Sequence, residues 1–280
     1  MWVRQCAGGF CVAMLVGLGA AALSAQETNR AQLVVQLGHT NNVTAVAFSA
    51  DGRYVLTSSS LDGSTRLWEA ETGRELRRFG DGGRTHSLEF SPDGRTVLTA
   101  TAGDVQLWDA GTGKKLAHFS DGPGTFSPDG RTVLTGGADH LAHLWDVESG
   151  REVKRLEGHH GAVQCVTFSP DGSMAATGSV DGTVRLWDVK TDRESRAIPV
   201  GLGVTSVAFS PDGHQVLTAS EDAAQLYNSV RMWDVATGAE IRRAEGISAF
   251  AFAPDGRVVL GRTWSVSARM ISHGGVHMWC

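Results

Sequence analysis

Residues 162–188 read AVQCVTFSPDGSMAATGSVDGTVRLWD, and the pattern of this segment recurs along the chain. Its first run is rich in β-branched and aromatic residues, which favour strands. Within the Ser-Pro-Asp-Gly that follows, Pro170 presets a negative φ and Gly172 accepts a positive one, so a tight turn is predicted. A second tight turn is predicted at 180–182, and a last extended run at 194–198. The unit is therefore predicted to be four short antiparallel strands.

The same unit is written six times, at intervals of about 40 residues, which is the signature of a repeat protein. Each copy contains a Phe-Ser-Pro-Asp-Gly motif or a close variant, and these motifs begin at Phe48, Phe90, Phe126, Phe168, Phe209 and Phe252. The first motif has Ala50 where all five of the others have proline. A tryptophan follows each motif, at Trp68, Trp108, Trp145, Trp187, Trp233 and Trp279. The third unit is short before Phe126, so its first strand is expected to be clipped.

A sheet of four strands with two apolar faces must stack against neighbours, and radial stacking around an axis satisfies this need. At this point the chain resembles the WD40-repeat β-propeller family. The resemblance rests on four Trp-Asp dipeptides and two Gly-His dipeptides, namely Trp108-Asp109, Trp145-Asp146, Trp187-Asp188, Trp233-Asp234, Gly38-His39 and Gly158-His159. It implies an all-β fold, a β-propeller of four-stranded antiparallel blades, and the six copies of the unit predict a six-bladed one.

Ring closure is predicted from the two ends of the chain. The last unit stops after its third strand, at Trp279, and residues 31–37 resemble a fourth strand without its preceding three. Pairing them in the last blade removes the open edges of the ring. One propeller is expected over 26–280, with blades at 38–79, 80–119, 120–156, 157–198, 199–244 and 245–280 plus 31–37. The alternatives are a seven-bladed ring, the commoner number in the family, and an open or incomplete fragment of a longer protein.

The amino-terminal segment has the layout of an export signal. Arg4 is followed by an apolar run at 7–23 and then by small residues, so 1–25 is predicted to be a secretory signal peptide. The alternative is an uncleaved anchor formed by 7–23, which is at the short limit for a bilayer span. We expect an exported protein of bacterial type, periplasmic or secreted, that meets a membrane only if this segment is retained.

Composition limits the classes of partner. The chain has 280 residues, 41% of them hydrophobic, which is enough for a large core and excludes disorder as the main state. Its formal net charge of -5 provides no basic field for a phosphate backbone, so nucleic acid is not expected as a partner.

The resemblance also implies a buried hydrogen-bond chain inside a blade, formed by His, Thr, Asp and Trp. By position the matching sets are His159, Thr177, Asp181 and Trp187, and His39, Thr57, Asp62 and Trp68. The rival interpretation is a hydrolase, since a His lies beside an Asp and a hydroxyl. A structural role is preferred because these groups satisfy one another and the Gly-x-Ser-x-Gly motif does not occur. The second unit has Ala102 at the Asp position, so that blade is expected to be less rigid.

Metal and cofactor sites are not predicted. The pairs His140 with His143 and His273 with His277 have no third ligand at motif spacing. Gly113-Lys114 is interpreted as a turn, because the glycine and the Ser or Thr of a phosphate loop are missing around it.

Loop length predicts where a partner would bind. The connection between the second and third strands is longer in units five and six than in unit four. Because these units are consecutive, both extensions are expected on one end of the ring, carrying aromatic and Arg residues typical of interface centres: Glu221, Asp222, Tyr227, Arg262, Trp264, Arg269 and Met270. The alternative is that the inserts only lengthen a hairpin.

The function predicted from the sequence is a non-catalytic, monomeric scaffold that binds another protein or peptide outside the cytoplasm. The alternatives are a propeller enzyme with an axial pocket and an incomplete fragment. Convergent acid, base or metal ligands near the axis would indicate the enzyme.

Overall fold

The chain is described by a computed structural model. It covers residues 38–39, 42–59, 62–80, 85–101, 104–119, 122–201, 203–221, 229–245, 247–252, 259–263, 266–267, 270–271 and 276–279. These residues form five four-stranded antiparallel sheets in succession, and the strands of each sheet follow chain order. The predicted all-β repeat is therefore confirmed.

The first two sheets span residues 43–119. The first contains β1 (Val43–Phe48), β2 (Tyr54–Ser59), β3 (Thr65–Glu69) and β4 (Glu75–Phe79). The second contains β5 (Thr85–Phe90), β6 (Thr96–Thr101), β7 (Asp104–Asp109) and β8 (Lys115–Phe119).

The next three sheets repeat the same order. The third contains β9 (Gly124–Phe126), β10 (Thr132–Gly136), β11 (Ala142–Asp146) and β12 (Glu152–Leu156). The fourth contains β13 (Val163–Phe168), β14 (Met174–Ser179), β15 (Thr183–Asp188) and β16 (Arg193–Pro199). The fifth contains β17 (Gly203–Phe209), β18 (Gln215–Glu221), β19 (Ser229–Asp234) and β20 (Glu240–Glu245).

The last unit departs from the others. Its strands are β21 (Ile247–Phe252), β22 (Val259–Thr263), β23 (Val266–Ser267), β24 (Met270–Ile271) and β25 (Val276–Trp279). Strands β21, β22 and β25 make a three-stranded sheet in that order, while β23 and β24 pair with each other as a separate hairpin. The predicted closing strand, residues 31–37, lies outside the described residues, as does the segment at 1–25.

The Ser-Pro-Asp-Gly turn between the first and second strands is held by its own side chains. In the fourth sheet, Ser169 Oγ donates to Asp171 Oδ1 at 2.6 Å, and the Asp171 carboxylate accepts the N–H of Ser173 at 3.0 Å. Gly172 takes a φ of 72°, the left-handed conformation that glycine adopts without strain. The Ser–Asp hydrogen bond recurs in the first five sheets, so the motif makes the same turn each time.

The clipped first strand of the third unit is confirmed, and a carboxylate of the second sheet supports it. Strand β9 is three residues long. Buried Glu89 on β5 accepts the hydroxyl of Thr125 at 3.0 Å and the backbone N–H of Phe126 at 3.2 Å. The carboxylate thus joins the short strand to its neighbour.

The core lies between sheets. Five apolar clusters are found among the described residues, and each combines side chains of two consecutive sheets. At one junction Leu144 and Leu156 of the third sheet pack with Phe168 and Trp187 of the fourth. Because burial of one such side chain contributes about 1.5–3 kcal/mol, packing between neighbours holds the array together.

Basic side chains on the outer strands connect neighbouring sheets at the periphery. Arg77 donates to the carbonyl of Gly111 at 3.0 Å, Lys154 to that of Val189 at 2.7 Å, and Arg196 to that of Ala236. Each acceptor lies in the turn after the third strand of the next sheet. The second sheet has Ala117 at the corresponding position of its outer strand, so this link is missing there.

Candidate functional site

A buried tryptophan–threonine hydrogen bond recurs in all five four-stranded sheets. The tryptophan on the third strand donates its indole N–H to a threonine hydroxyl on the second strand. The pairs are Trp68–Thr57 (2.7 Å), Trp108–Thr99 (2.9 Å), Trp145–Thr135 (2.9 Å), Trp187–Thr177 (2.9 Å) and Trp233–Thr218 (3.0 Å). Each of these threonines is at most 2% exposed. The bond satisfies two polar groups that would otherwise be buried without partners.

In the fourth sheet the structure brings together all four predicted residues. His159 Nε2 lies 2.7 Å from Thr177 Oγ1, and its Nδ1 lies 2.9 Å from Asp181 Oδ2. Asp181 also accepts the backbone N–H of His160 and the hydroxyl of Thr183. The chain of bonds therefore connects the segment before the first strand to the turn between the second and third strands.

The first sheet forms the same arrangement. His39 Nε2 lies 2.8 Å from Thr57 Oγ1, and its Nδ1 lies 2.8 Å from Asp62 Oδ2. One additional residue lies between the second strand and Asp62 here, and the carboxylate still reaches the ring. Both predicted quartets are thus assembled from three separate segments of their sheets.

The charges of these groups are set by burial and by hydrogen bonds. Burial alone would raise the pKa of Asp62, but hydrogen bonds from the N–H of Ser64 and the ring of His39 outweigh this effect and lower the pKa to about 2. In the same way burial opposes ionisation of Asp181, and bonds from Thr183, His160 and His159 hold its pKa well below the usual range. Burial lowers the pKa of His159. At neutral pH the network of the fourth sheet is therefore a neutral His159 imidazole beside the Asp181 carboxylate.

This protonation state determines the direction of the hydrogen bonds that link Asp181, His159 and Thr177. The carboxylate of Asp181 only accepts, so Nδ1 of His159 carries the proton. Nε2 therefore accepts the hydroxyl proton of Thr177, whose oxygen in turn accepts the indole N–H of Trp187. The Thr177 hydroxyl is completely buried and uses both its donor and an acceptor inside this chain. The arrangement stabilises the sheet and leaves no hydroxyl positioned for nucleophilic attack.

The third sheet has a different histidine cluster, which sequence reasoning missed. His143 Nδ1 lies 2.6 Å from Glu152 Oε1, and its Nε2 lies 3.1 Å from Asp139 Oδ2. Sequence reasoning paired His143 with His140, whereas His140 lies in the turn with a φ of 74°. The pairing of His143 with Glu152 could have been predicted from the repeat. Arg66, Arg185 and Arg231 take the position of His143 in other sheets and bond to glutamates there.

The predicted partner-binding residues lie largely outside the described part of the chain. This holds for Asp222, Tyr227, Trp264 and Arg269 entirely, and for the side chains of Glu221, Arg262 and Met270. The backbone of Glu221 ends β18, Arg262 lies in β22, and Met270 lies in the β23–β24 hairpin. The extra residues between the second and third strands of the sixth unit therefore include the β23–β24 hairpin.

The described residues show neither a metal centre nor a membrane-spanning helix. Within those ranges, no group of three or more His, Cys, Asp or Glu side chains is placed to hold a metal ion. The described residues also contain no helix that is long and apolar enough to cross a membrane.

Comparison with known proteins identifies the repeat. The family described as WD domain, G-beta repeat, matches residues 31–69, 74–109, 120–146, 150–188 and 201–234, which together exceed half of the chain. The chain belongs to the WD40 family. The first matched segment includes residues 31–37, and each of the other four contains a Trp-Asp dipeptide at the end of a third strand.

Several WD40 relatives match part of the chain. An uncharacterised WD repeat-containing protein of Synechocystis is 38% identical over 24% of this chain and 20% of its own length. The serine-threonine kinase receptor-associated protein of Gallus gallus is 30% identical over 46% of this chain and 37% of its own length. The small ribosomal subunit protein RACK1y of Oryza sativa is 39% identical over 25% of this chain and 20% of its own length. The matches thus span well under half of each of these relatives.

Proposed function

We propose that this WD40 protein is a non-catalytic scaffold that binds another protein or a peptide through the extended connections of its fifth and sixth sheets. The observation that carries the proposal is the β23–β24 hairpin, which is inserted between the second and third strands of the sixth sheet. In the fifth sheet, residues 222–228 separate the same two strands. Two neighbouring insertions on a rigid repeat are a typical place for binding residues.

The two insertions lie side by side if the sheets keep their repeated order. Strand β21 contacts β18 and β19, so the fifth and sixth sheets are direct neighbours. In a repeat array the second strands of consecutive sheets run in the same direction, so both insertions are expected on one face. The sequence places Tyr227, Trp264 and Arg269 in these connections, and such residues dominate binding energy at interface centres.

The relatives support a scaffold role. The printed names of two of them describe a receptor-associated protein and a ribosomal subunit protein, so each acts in association with other macromolecules. In this chain the candidate catalytic groups are engaged in structure: Thr177 is saturated by Trp187 and His159, and Glu89 supports β9. A scaffold binds its partner through surface connections at the edge of the fold and does not need these buried groups.

We further propose a closed ring of six sheets, in which residues 31–37 pair with β25. In the three-stranded sheet β21-β22-β25, a fourth strand would pair with β25, because in the other five sheets the third strand pairs with a fourth. A monomeric ring exported from the cytoplasm after removal of 1–25 is the form we propose for the mature protein. Mass spectrometry of the intact secreted chain tests the cleavage, since retention of 1–25 contradicts it.

The binding surface is tested by capture from an extracytoplasmic fraction with the immobilised mature chain. The double variant Tyr227→Ala/Trp264→Ala is expected to lose at least nine-tenths of the specifically captured protein. The matched control is Val180→Ala, which changes an exposed apolar residue on the shorter connection of the fourth sheet. Unchanged capture by the double variant, with an unchanged thermal transition, would reject this surface.

A further inference from the structure

The Ser-Pro-Asp-Gly turns of consecutive sheets contact one another through their proline and glycine. A β-carbon placed on Gly130 would lie 3.2 Å from Cδ of Pro92 in the preceding sheet. The corresponding distance is 3.4 Å between Gly172 and Pro128, and 3.7 Å between Gly213 and Pro170. At these three junctions the proline ring therefore fills the space beside the next turn.

The junction between the first and second sheets lacks this ring. The first turn reads Ser49-Ala50-Asp51-Gly52, with alanine in the place of proline. Among the described residues, no heavy atom beyond the chain neighbours lies within 4 Å of a β-carbon placed on Gly94. A groove of about 460 Å³ opens at this junction, a volume within the usual range of small-ligand sites.

The floor of the groove is apolar and rigid. Tyr54, Leu67 and Leu76 of the first sheet and Phe90 of the second line it. Leu67 and Phe90 are each 4% exposed and belong to the apolar cluster that joins the two sheets. A floor that is already packed loses little freedom when an apolar group binds on it.

The rim carries two guanidinium groups. Arg77 donates to the carbonyls of Gly111 at 3.0 Å and of Leu76 at 2.7 Å, which fixes its plane at the edge of the groove. Arg95 lies exposed on the opposite turn, where its Nε is 3.9 Å from Oδ2 of the exposed Asp93, and both arginine side chains line the groove. The one acidic lining residue, Asp109, directs Oδ1 to the N–H and the hydroxyl of Thr112, at 2.7 Å each. The rim therefore favours an anionic group.

The shape of the groove favours a segment of chain over an enclosed small molecule. Arg77, Arg95 and Gly111 are all exposed, so one side of the groove is open to solvent. A peptide can lie along this side, place one large apolar side chain on the floor and present a neighbouring carboxylate to the arginines. Arginine binds carboxylates through paired hydrogen bonds, which gives both strength and orientation.

We propose that the groove between the first and second sheets, opened by Ala50 in place of proline, binds a short acidic peptide segment through one apolar side chain and an adjacent carboxylate. This site is separate from the insertions of the fifth and sixth sheets and does not depend on them.

The test measures binding of a defined probe to the mature chain by fluorescence anisotropy. The probe is fluorescein-labelled Gly-Gly-Glu-Phe-Glu-Gly-Gly, and its comparison peptide has Gln in place of both Glu. Saturable binding below 1 mM is expected for the Glu peptide, and binding at least tenfold weaker for the Gln peptide. Equal binding of both peptides, or no binding of the Glu peptide up to 1 mM, overturns the proposal.

Ala50→Pro is the decisive variant, because it restores the ring that fills the other junctions. It is expected to weaken binding at least tenfold while the chain stays folded, since the same turn contains proline in four other sheets. Arg77→Ala is expected to weaken binding about tenfold. Its control, Arg196→Ala, removes the same kind of carbonyl link at a different junction and should leave binding unchanged.

Crosslinking locates the bound probe independently of any variant. A probe with benzoylphenylalanine in place of Phe is expected to label a peptide that contains Tyr54 or Leu76, as read by mass spectrometry. Labelling elsewhere, or undiminished binding to folded Ala50→Pro, contradicts the proposal.

Discussion

The fourth and second sheets solve the same burial problem with different numbers of hydrogen bonds. Both bury a tryptophan whose indole N–H is donated to a threonine, Trp187 to Thr177 and Trp108 to Thr99, each at 2.9 Å. In the fourth sheet His159 also bonds to this hydroxyl and Asp181 bonds to His159, whereas the second unit has Ala102 where the aspartate would lie. The strands of both sheets nevertheless pair with the same topology.

This difference separates what the repeat needs from what individual sheets add. The tryptophan–threonine bond occurs in every four-stranded sheet, with or without histidine. The histidine and aspartate join the segment before the first strand to the turn after the second. They therefore stabilise the connections of a sheet whose strands are already defined by packing between neighbours.

The largest difference in stability is expected when the threonine hydroxyl of each of these two sheets is removed. In Thr177→Val, two buried groups lose their partner, the indole N–H of Trp187 and Nε2 of His159. We expect a loss of roughly 2–6 kcal/mol in the free energy of unfolding, since each unsatisfied group costs about 1–3 kcal/mol. In Thr99→Val the indole N–H of Trp108 is the one group among the described residues that loses its partner, so about 1–3 kcal/mol is expected.

Urea unfolding monitored by tryptophan fluorescence measures both losses. Valine has nearly the shape of threonine, so packing changes little and the two variants control for each other. Equal losses in the two variants would mean that His159 and Asp181 contribute nothing through Thr177.

The sequence predicted the all-β repeat because its motifs are local patterns that recur, and Phe-Ser-Pro-Asp-Gly with the following tryptophan specifies a turn and two strands. The two quartets were implied by the resemblance to the WD40 family, through the positions that match the family's motif. Contacts between sheets could not be predicted from the sequence. The link from Arg77 to Gly111 and the support of β9 by Glu89 depend on which side chains meet across a junction, and spacing does not encode that. The groove beside Ala50 could not be predicted either, because it depends on how the turns of neighbouring sheets contact each other.

Protonation of His159 sharpens the comparison by acting on one sheet alone. Burial lowers its pKa in the folded chain below the usual value near 6.5, so the unfolded chain binds the proton more readily. Its contribution to stability is fully present above that value and decreases as the pH falls below it. We expect the free energy of unfolding to fall between pH 7.5 and pH 5.5 because of this residue.

The variant His159→Gln should show a smaller decrease over that pH range than the unaltered chain. The control is His160→Gln, which changes the neighbouring exposed imidazole and should leave the decrease intact. Equal pH dependence in all three proteins would show that His159 takes up its proton as easily in the folded as in the unfolded chain. Asp62 predicts a further, separate loss of stability, from about pH 4 down to its pKa of about 2.

The smallest effect is expected at the outer strands. The second sheet lacks the basic link because Ala117 replaces the arginine or lysine of its neighbours. Ala117→Arg should reach the carbonyl of Glu148 in the next sheet and stabilise the chain by about 0.5 kcal/mol. Arg196→Ala should destabilise it by a similar amount. Thermal unfolding compares them, and a destabilising Ala117→Arg would argue against a stabilising role for these links.

Closure of the ring by residues 31–37 is tested most directly by amide hydrogen exchange of the intact mature chain, followed peptide by peptide in a mass spectrometer. If the segment pairs with β25, its amides should exchange as slowly as those of the outer strands β4, β12 and β16. Exchange of 31–37 at the rate of an unstructured peptide, with the outer strands protected in the same sample, would contradict a closed six-sheet ring.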